Sequence, residues 1–449
     1  MRVDDRIPDE LRNLTPPTHL APPTQPSPHM GEGLREGVPH LSPAPERAGG
    51  QGLSLTLAIA DHPWTKATRD AAAVRIAMSV AARGAQDGVL VEITGETGLD
   101  SDTPRLNEQA RHGRINPDLS LGSDVGAVLP LKGNEGLAYR GVQLIGAGFI
   151  ITPAQAVDMG LGRRDGLERH IRPYRNGRDL LQHSRDAMVI DLFGLDEKQV
   201  RTRFPEVYQH LLTSVKPERD QNRRATYKNI WWVHGEPRRE MRPALAGLPR
   251  YIATVETAKH RIFQFLDAAI LPDNMLVAIG SDDAFMLGVL SSNVHCDWAL
   301  GMGGTLEDRP RYNKSQIFDP FPFPDASDGQ RAVIAELADE LDATRKTALA
   351  ETPGLTMTGI YNLREKLRAG AGLDPADQRR ATAARAAIID RLHQQLDGAV
   401  ADAYGWPVDL TAGEIVARLV ALNAQRAAEE AAGHVRWLRP DYQIPRFGG

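Results

Sequence analysis

The residues best suited to binding chemistry lie in one stretch, Lys216-Pro-Glu-Arg-Asp-Gln-Asn-Arg-Arg-Ala-Thr-Tyr-Lys-Asn-Ile-Trp-Trp-Val-His234. Fixed positive charge (Arg219, Arg223, Arg224, Lys228) is interleaved with stacking-capable rings (Tyr227, Trp231, Trp232) and with the amides Gln221, Asn222 and Asn229. From 198 to 250 there are twelve Lys/Arg against five Asp/Glu, so the window is net positive by seven in a chain that is net negative by five. Lys and Arg set against phosphates release counterions, which drives binding to a polyanion, and amide side chains can read a base edge. Composition alone leaves a second reading open, a solvated helix face over two core tryptophans.

Other candidate chemistry falls short. Gly146-Ala-Gly148 follows an apolar run, but Ile151 stands where a dinucleotide loop needs its third glycine, and no ribose-binding acid follows. It reads as a turn, and Gly301-Met-Gly-Gly304 as a loop. Asp319-Pro-Phe-Pro322 and Asn116-Pro117-Asp118 lack the adjacent prolines of an amino-methyltransferase site. The histidines form no metal-ligand spacing. Asp191, Asp282 and Asp283 are expected as caps, turn residues or surface residues, and the lone cysteine, Cys296, as a small core residue. No catalytic residue, bound cofactor or metal is expected in the chain from spacing.

These candidates need elements to position them, and 449 residues allow two or three domains. A quarter of the residues are charged, with signs mixed, as in a soluble globular protein. One cysteine excludes an intrachain disulfide and fits a reducing cytoplasm. The start, Met-Arg-Val-Asp-Asp-Arg, reads as no signal peptide. The run 268–290 is broken by Pro272, Asp273, Asp282 and Asp283, so no membrane partner is expected.

Residues 1–50 read as a disordered tail, with ten prolines between Pro8 and Pro45 and almost no aliphatic periodicity. Its texture points to sequence foreign to the reading frame. Strands are expected at 54–60, at 74–80 with one buried face, and at 89–94, together forming the edge of a larger sheet. Another strand is read over 141–151. From Thr152-Pro153 helices alternate with short strands: a strand in 186–193, an amphipathic helix over 196–215, strands at 251–255 and 275–279, and a helix at 284–291. Phe318-Asp-Pro-Phe-Pro-Phe-Pro324 closes this unit, because three prolines forbid regular structure. Beyond Asp325 the chain reads as a helical bundle. Val333, Ile334, Leu337 and Leu341 share one face, Ile388, Leu392, Leu396 and Val400 another, and Thr411 with Glu414 forms a capping box.

Several stretches, taken in order, resemble the single-chain type IIG/IIL restriction-modification proteins (the MmeI-type family) and their adenine-specific DNA methyltransferase relatives. They are Asp61-His-Pro-Trp64 with Asp70-Ala-Ala-Ala-Val-Arg-Ile-Ala-Met78, Gly146-Ala-Gly-Phe-Ile-Ile-Thr152, Ile171-Arg-Pro-Tyr-Arg-Asn-Gly-Arg-Asp-Leu180 and the 216–234 stretch. Ser291-Ser-Asn-Val-His-Cys-Asp-Trp298, Tyr312-Asn313 leading into Phe321-Pro-Phe-Pro324, and Trp437-Leu-Arg-Pro-Asp-Tyr-Gln443 complete the set.

The resemblance implies an α/β protein in four parts: the disordered tail (1–50), an incomplete edge of a class I methyltransferase sheet (51–150), a mixed α/β target-recognition domain (151–325) and a helical C-terminal domain (326–449). It implies double-stranded DNA as partner. Arg219, Arg223, Arg224 and Lys228 are then expected at phosphates, and Asn222, Arg309, Arg311, Tyr312 and Asn313 as the base-reading contacts. Family members also carry a glycine-rich loop for S-adenosylmethionine and an Asn-Pro-Pro-aromatic site that holds a flipped adenine; neither motif occurs in this sequence. The chain therefore reads as the truncated, catalytically incomplete recognition portion of an adenine-N6 methyltransferase. The alternatives are a subunit completed in trans by a separate catalytic polypeptide, and an inactive remnant with a structural role.

Overall fold

Continuous apolar runs and alternating runs fold differently here, and the difference organises the molecule. The computed structural model describes residues 53–448 apart from 64–73, 85, 99–104, 117–118, 120, 122–123, 304, 307–308 and 371–373, and the side chains of 304–309 also lie outside it. The tail expected over 1–50, and most of the Asn-Pro-Asp tripeptide at 116–118, are outside the described residues.

Four strands, β1 (Leu53–Pro63), β2 (Arg75–Arg83), β3 (Gly88–Thr97) and β4 (Arg105–Gly113), form a sheet in the order β2-β1-β3-β4. β1 and β3 are parallel, and the outer pairs are antiparallel. The three expected strands are present. The buried face expected on β2 is not: Met78 and Val80 are 37% and 53% exposed, and among the described residues the buried cluster at this sheet is Ala58 and Leu90 with Ile115 beside them.

Ten strands follow: β5 (Ala138–Arg140), β6 (Ile150–Ile151), β7 (Ile171–Arg175), β8 (Met188–Ile190), β9 (Arg250–Val255), β10 (Gln264–Asp267), β11 (Leu271–Pro272), β12 (Leu276–Ile279), β13 (Thr305–Leu306) and β14 (Arg309–Pro310). They make an antiparallel sheet in the order β10-β9-β12-β5, a second sheet in the order β11-β7-β8-β6, and the hairpin β13-β14. β9 and β12 are apolar on both faces because both faces are covered. Ile252, Val277 and Ile279 point into one core, while Tyr251, Ala253, Val255, Leu276 and Ala278 point into another.

The first core continues into the C-terminal helices. Helix Ala284–Ser291 is buried along its whole length, and Ile334, Leu341, Leu396 and Leu419 belong to the same cluster as Ile252 and Val277. The C-terminal helices Asp328–Glu351 and Ala386–Tyr404 pack on this covering helix, Met357–Arg368 packs on Ala386–Tyr404 and Ala412–Ala431 on helix Asn293–Met302, so the helical part shares its core with the sheet. Val333 and Ile388 lie outside the expected faces, at 51% and 41% exposure. The Thr411 and Glu414 capping box is formed.

Three expectations are corrected. The strand read over 141–151 is interrupted, because Gly141 lies so close to the neighbouring backbone that a Cβ would meet Asp273 O at 2.2 Å, and Gly146 turns the chain at φ +149°. The amphipathic run 196–215 splits into helices Glu197–Arg203 and Pro205–Ser214, since Pro205 cannot continue the first helix but starts the second well. Gly301 and Met302 end helix Asn293–Met302 instead of forming a loop.

Candidate nucleic-acid interface

Two short helices, Lys216–Asp220 and Ala225–Asn229, carry the basic stretch. Between them Asn222 Oδ1 accepts from the Arg224 amide at 3.0 Å, a local side-chain turn that reverses the chain. Three side chains tie this excursion to the core. Arg219 is only 1% exposed, and its Nη2 donates to the carbonyls of Leu144 and Val233, both at 2.9 Å. Its guanidinium faces the rings of Tyr227 and Phe149, at 5.1 and 5.6 Å. Trp231 is buried, and buried His234 donates from Nε2 to the Ile190 carbonyl at 2.7 Å. Burial drives the His234 pKa below its ordinary value, against the opposing pull of the Asp191 carboxylate.

The sequence candidates therefore separate. Arg223, Arg224 and Lys228 are exposed and Asn222 is half-buried. Arg219 is corrected from a surface cation to a staple beneath them, since it is buried and its Nη2 is held by two carbonyls. Arg224 Nη1 donates to the Tyr227 hydroxyl at 2.8 Å, and Tyr227 in turn donates to Glu236 Oε1 at 3.3 Å.

Asp191 is also corrected. It is 3% exposed, and Arg242 binds both its oxygens, Nη1 to Oδ2 at 2.7 Å and Nη2 to Oδ1 at 2.8 Å. Burial works to raise its pKa, yet nearby His234, Arg242 and Arg172 outweigh that and hold the carboxyl below its ordinary value. Asp283, by contrast, is the cap expected, accepting from the Phe285 amide at 2.8 Å.

The later candidates divide in the same way. Arg311 is exposed, with Nε and Nη2 on Glu256 Oε1 at 2.7 and 2.6 Å. Tyr312 is fully buried, hydrogen-bonded to His295 Nε2 at 2.9 Å, so it is corrected from a DNA contact to a core anchor. Asn313 caps helix Lys314–Ile317, its Oδ1 accepting from the Ser315 amide at 3.2 Å. The Arg309 side chain lies outside the described residues.

One ribbon of chain, 140–145, joins the two groups. Gln143 and Glu236 exchange backbone hydrogen bonds, Arg238 Nε donates to the Gly141 carbonyl at 3.1 Å, and Arg140 Nη2 lies 2.6 Å from Glu256 Oε2. Sequence reasoning missed Arg140, Arg238 and Glu256. Their only signal is strand register, because Arg140 and Glu256 stand far apart in the chain. Beside Glu256, a cleft of about 620 Å³ is lined by Asn176, Arg178, Gln182, His183 and Thr257 among others.

No cradle for S-adenosylmethionine is formed by the Gly146 turn. Gly148 packs on helix Pro205–Ser214, where a Cβ would meet Ser214 Oγ at 2.5 Å, and His210 Nε2 bonds the Gly148 carbonyl at 2.8 Å. That turn is filled by the protein itself. Among the described residues no His/Cys/Asp/Glu group could hold a metal ion, and no helix is long and apolar enough to cross a membrane. Burial pushes the Cys296 thiol up to about 12, which removes it as a nucleophile.

Residues 139–325 match the family model described as MmeI, target recognition domain. The fold is similar to that of a type IIL restriction-modification enzyme, MmeI, solved in complex with DNA, with a TM-score of 0.59 at 19% identity over 84% of this chain and 46% of that one. A segment of 89 residues is 28% identical to DNA methyltransferase A of Bacillus subtilis (strain 168), covering 20% of this chain and 10% of that protein. The chain spans less than half the length of either. It carries a target recognition domain of the MmeI type.

Proposed function

We propose that the MmeI-type target recognition domain at residues 139–325 reads double-stranded DNA as part of an adenine-N6 methyltransferase of the restriction-modification kind. The observation that carries this reading is the set of cations gathered around the 140–145 ribbon. Arg223, Arg224 and Lys228 are exposed on an excursion stapled to Leu144 by Arg219, Arg238 bonds the Gly141 carbonyl, and Arg140 shares Glu256 with Arg311. Exposed cations grip phosphates whatever the sequence, while fixed arginine forks can read base edges. Asn222 would contact the backbone from the turn it forms. Adenine as target and S-adenosylmethionine as donor rest on the family resemblance alone.

A gel-shift titration at rising salt tests the reading. Duplex DNA should bind, and log affinity should fall linearly with log salt. Failure to bind any duplex at low salt would remove it.

A specific observation favours a second reading, in which methyl transfer is completed by a separate catalytic polypeptide. The β2-β1-β3-β4 sheet leaves Leu53, Val74, Met78 and Val80 exposed and buries only a small cluster. A sheet with such apolar exposure gains by packing against another layer. Mixing the chain with a catalytic polypeptide that carries an Asn-Pro-Pro-aromatic motif should produce labelled DNA from labelled S-adenosylmethionine. Mixtures that transfer no label would exclude this reading and leave the first intact.

A further inference from the structure

We infer that Glu256 is a positioning residue for DNA readout, fixing the guanidinium groups of Arg140 and Arg311 side by side so that together they face one base-pair position. The inference rests on the DNA-reading role proposed above. Glu256 follows β9, and its side chain is 6% exposed, against 40% for Arg140 and 49% for Arg311. Its backbone is held at both ends, the amide donating to Met275 O at 2.8 Å and the carbonyl accepting from the Tyr312 amide at 2.6 Å. Thr257 and Arg311 form an antiparallel bridge beside it.

The carboxylate divides its oxygens. Oε1 takes Nε and Nη2 of Arg311, and Oε2 forms an ion pair with Nη2 of Arg140, whose Nε donates to the Asn274 carbonyl at 3.2 Å. A buried carboxylate needs a partner, but one arginine would meet that need. Two arginines on one glutamate leave a net positive, half-exposed pair. Among the described residues, the Nη1 group of neither arginine meets a protein acceptor. A planar fork held at its Nε side and open at its Nη1 side is already arranged to donate to a base edge, with little side-chain freedom left to lose. Thr257, which bridges to Arg311, lines the neighbouring cleft, so Arg311 is tied by its backbone to the margin of that cleft.

A purely structural ion triad makes a different prediction, which allows a test. The wild-type chain and the variants Glu256→Gln and Arg140→Lys are each bound to a pool of duplexes with a randomised core, and the retained sequences are read. Wild type should enrich a motif. Glu256→Gln removes a negative charge from a DNA-facing surface, so its affinity for the unselected pool should hold or rise. Its preference at one position of the motif should nevertheless fall on the order of ten-fold. Arg140→Lys keeps the charge but loses the fork, and should lose the same position at an unchanged salt dependence. Should Glu256→Gln fail to fold, the surface variant Arg140→Lys decides alone. Variants that enrich the wild-type motif undiminished would overturn the positioning role while leaving DNA reading in place. A wild-type chain that binds no duplex, or binds without enriching any motif, would overturn the DNA-reading role and this inference with it.

Discussion

Arg219 donates from Nη2 to the carbonyl of Val233 at 2.9 Å, closing the basic excursion on itself from fourteen residues away. One cation of the basic stretch is thus buried beneath the others. Replacing it with Ala removes this bond and the one to Leu144, along with its ring contacts. A loss of about 2 kcal/mol is expected, because buried carbonyls are left unpaired. Urea unfolding would show it, with hydrogen exchange accelerated at 221–230. An unchanged unfolding midpoint would mean that the excursion is held by other contacts.

The exposed cations should behave in the opposite way. Arg223→Ala, Arg224→Ala and Lys228→Ala are expected to change stability by no more than about 0.5 kcal/mol. Each one that meets a phosphate should lower the salt slope of duplex binding by about 1. Melting curves read the first effect and binding at several salt concentrations the second. A triple variant with the wild-type slope would place the phosphate contacts elsewhere.

That contrast marks how far the sequence could be read. Strands β9 and β12, the Thr152 and Thr411 helix starts and the Phe318-to-Pro324 close were legible, because periodicity, capping and proline are local signals. The fates of Arg219, Tyr312 and Asp191 were not. Whether an arginine or tyrosine is surface or staple depends on which distant carbonyl or ring it meets, and Leu144 stands 75 residues from Arg219. Glu256 gave no sign at all, since its role exists only once β5, β9 and the segment after β14 converge. The charge excess over 198–250 could not say which cations face outward.

Asp191 should be among the most sensitive positions in the chain. Asn in its place keeps the shape but withdraws the charge that Arg242 binds with both nitrogens and that Arg172 approaches to 3.9 Å. Removing one partner of a buried pair leaves an uncompensated charge, so a loss of about 3 kcal/mol is expected. Because Arg242 and Arg172 are partly exposed, the loss should be smaller than for a fully enclosed pair. Chemical denaturation measures it. A loss below about 1 kcal/mol would show that water already compensates these arginines.

Gly288 is where helix Ala284–Ser291 meets the C-terminal helices most closely. A Cβ there would lie 2.5 Å from Ile334 Cγ2, 3.1 Å from Ile334 O and 3.2 Å from Leu396 Cδ1. Gly288→Ala gains helix propensity but overpacks a shared core, and the steric cost should win, with a net loss of about 1 to 3 kcal/mol. Thermal melting would register it. Partial recovery by Ile334→Leu in the same chain, which drops the β-branch that carries Cγ2 at nearly constant volume, would identify the clash as the cause, while a stabilised Gly288→Ala would mean that the helices separate easily.

Asp397 predicts a pH dependence of stability with an unusual sign. Burial raises its carboxyl from an ordinary 3.8 to about 6, even though the Asn293 amide bonds Oδ1 at 2.7 Å and Arg364 and Arg368 oppose the rise. Between those two values the folded chain keeps a proton that the unfolded chain has released. Its contribution to stability is therefore fully present below the unfolded value and is lost as pH rises through about 6. The loss should be about 2 kcal/mol, allowing for partial solvent access to the carboxyl. Asp397→Asn keeps an acceptor for the Asn293 amide and cannot ionise. Its unfolding free energy should vary less than that of wild type between acid and neutral pH, and exceed it at neutral pH. Parallel profiles for the two chains would show that Asp397 ionises as freely in the folded state as in the unfolded one.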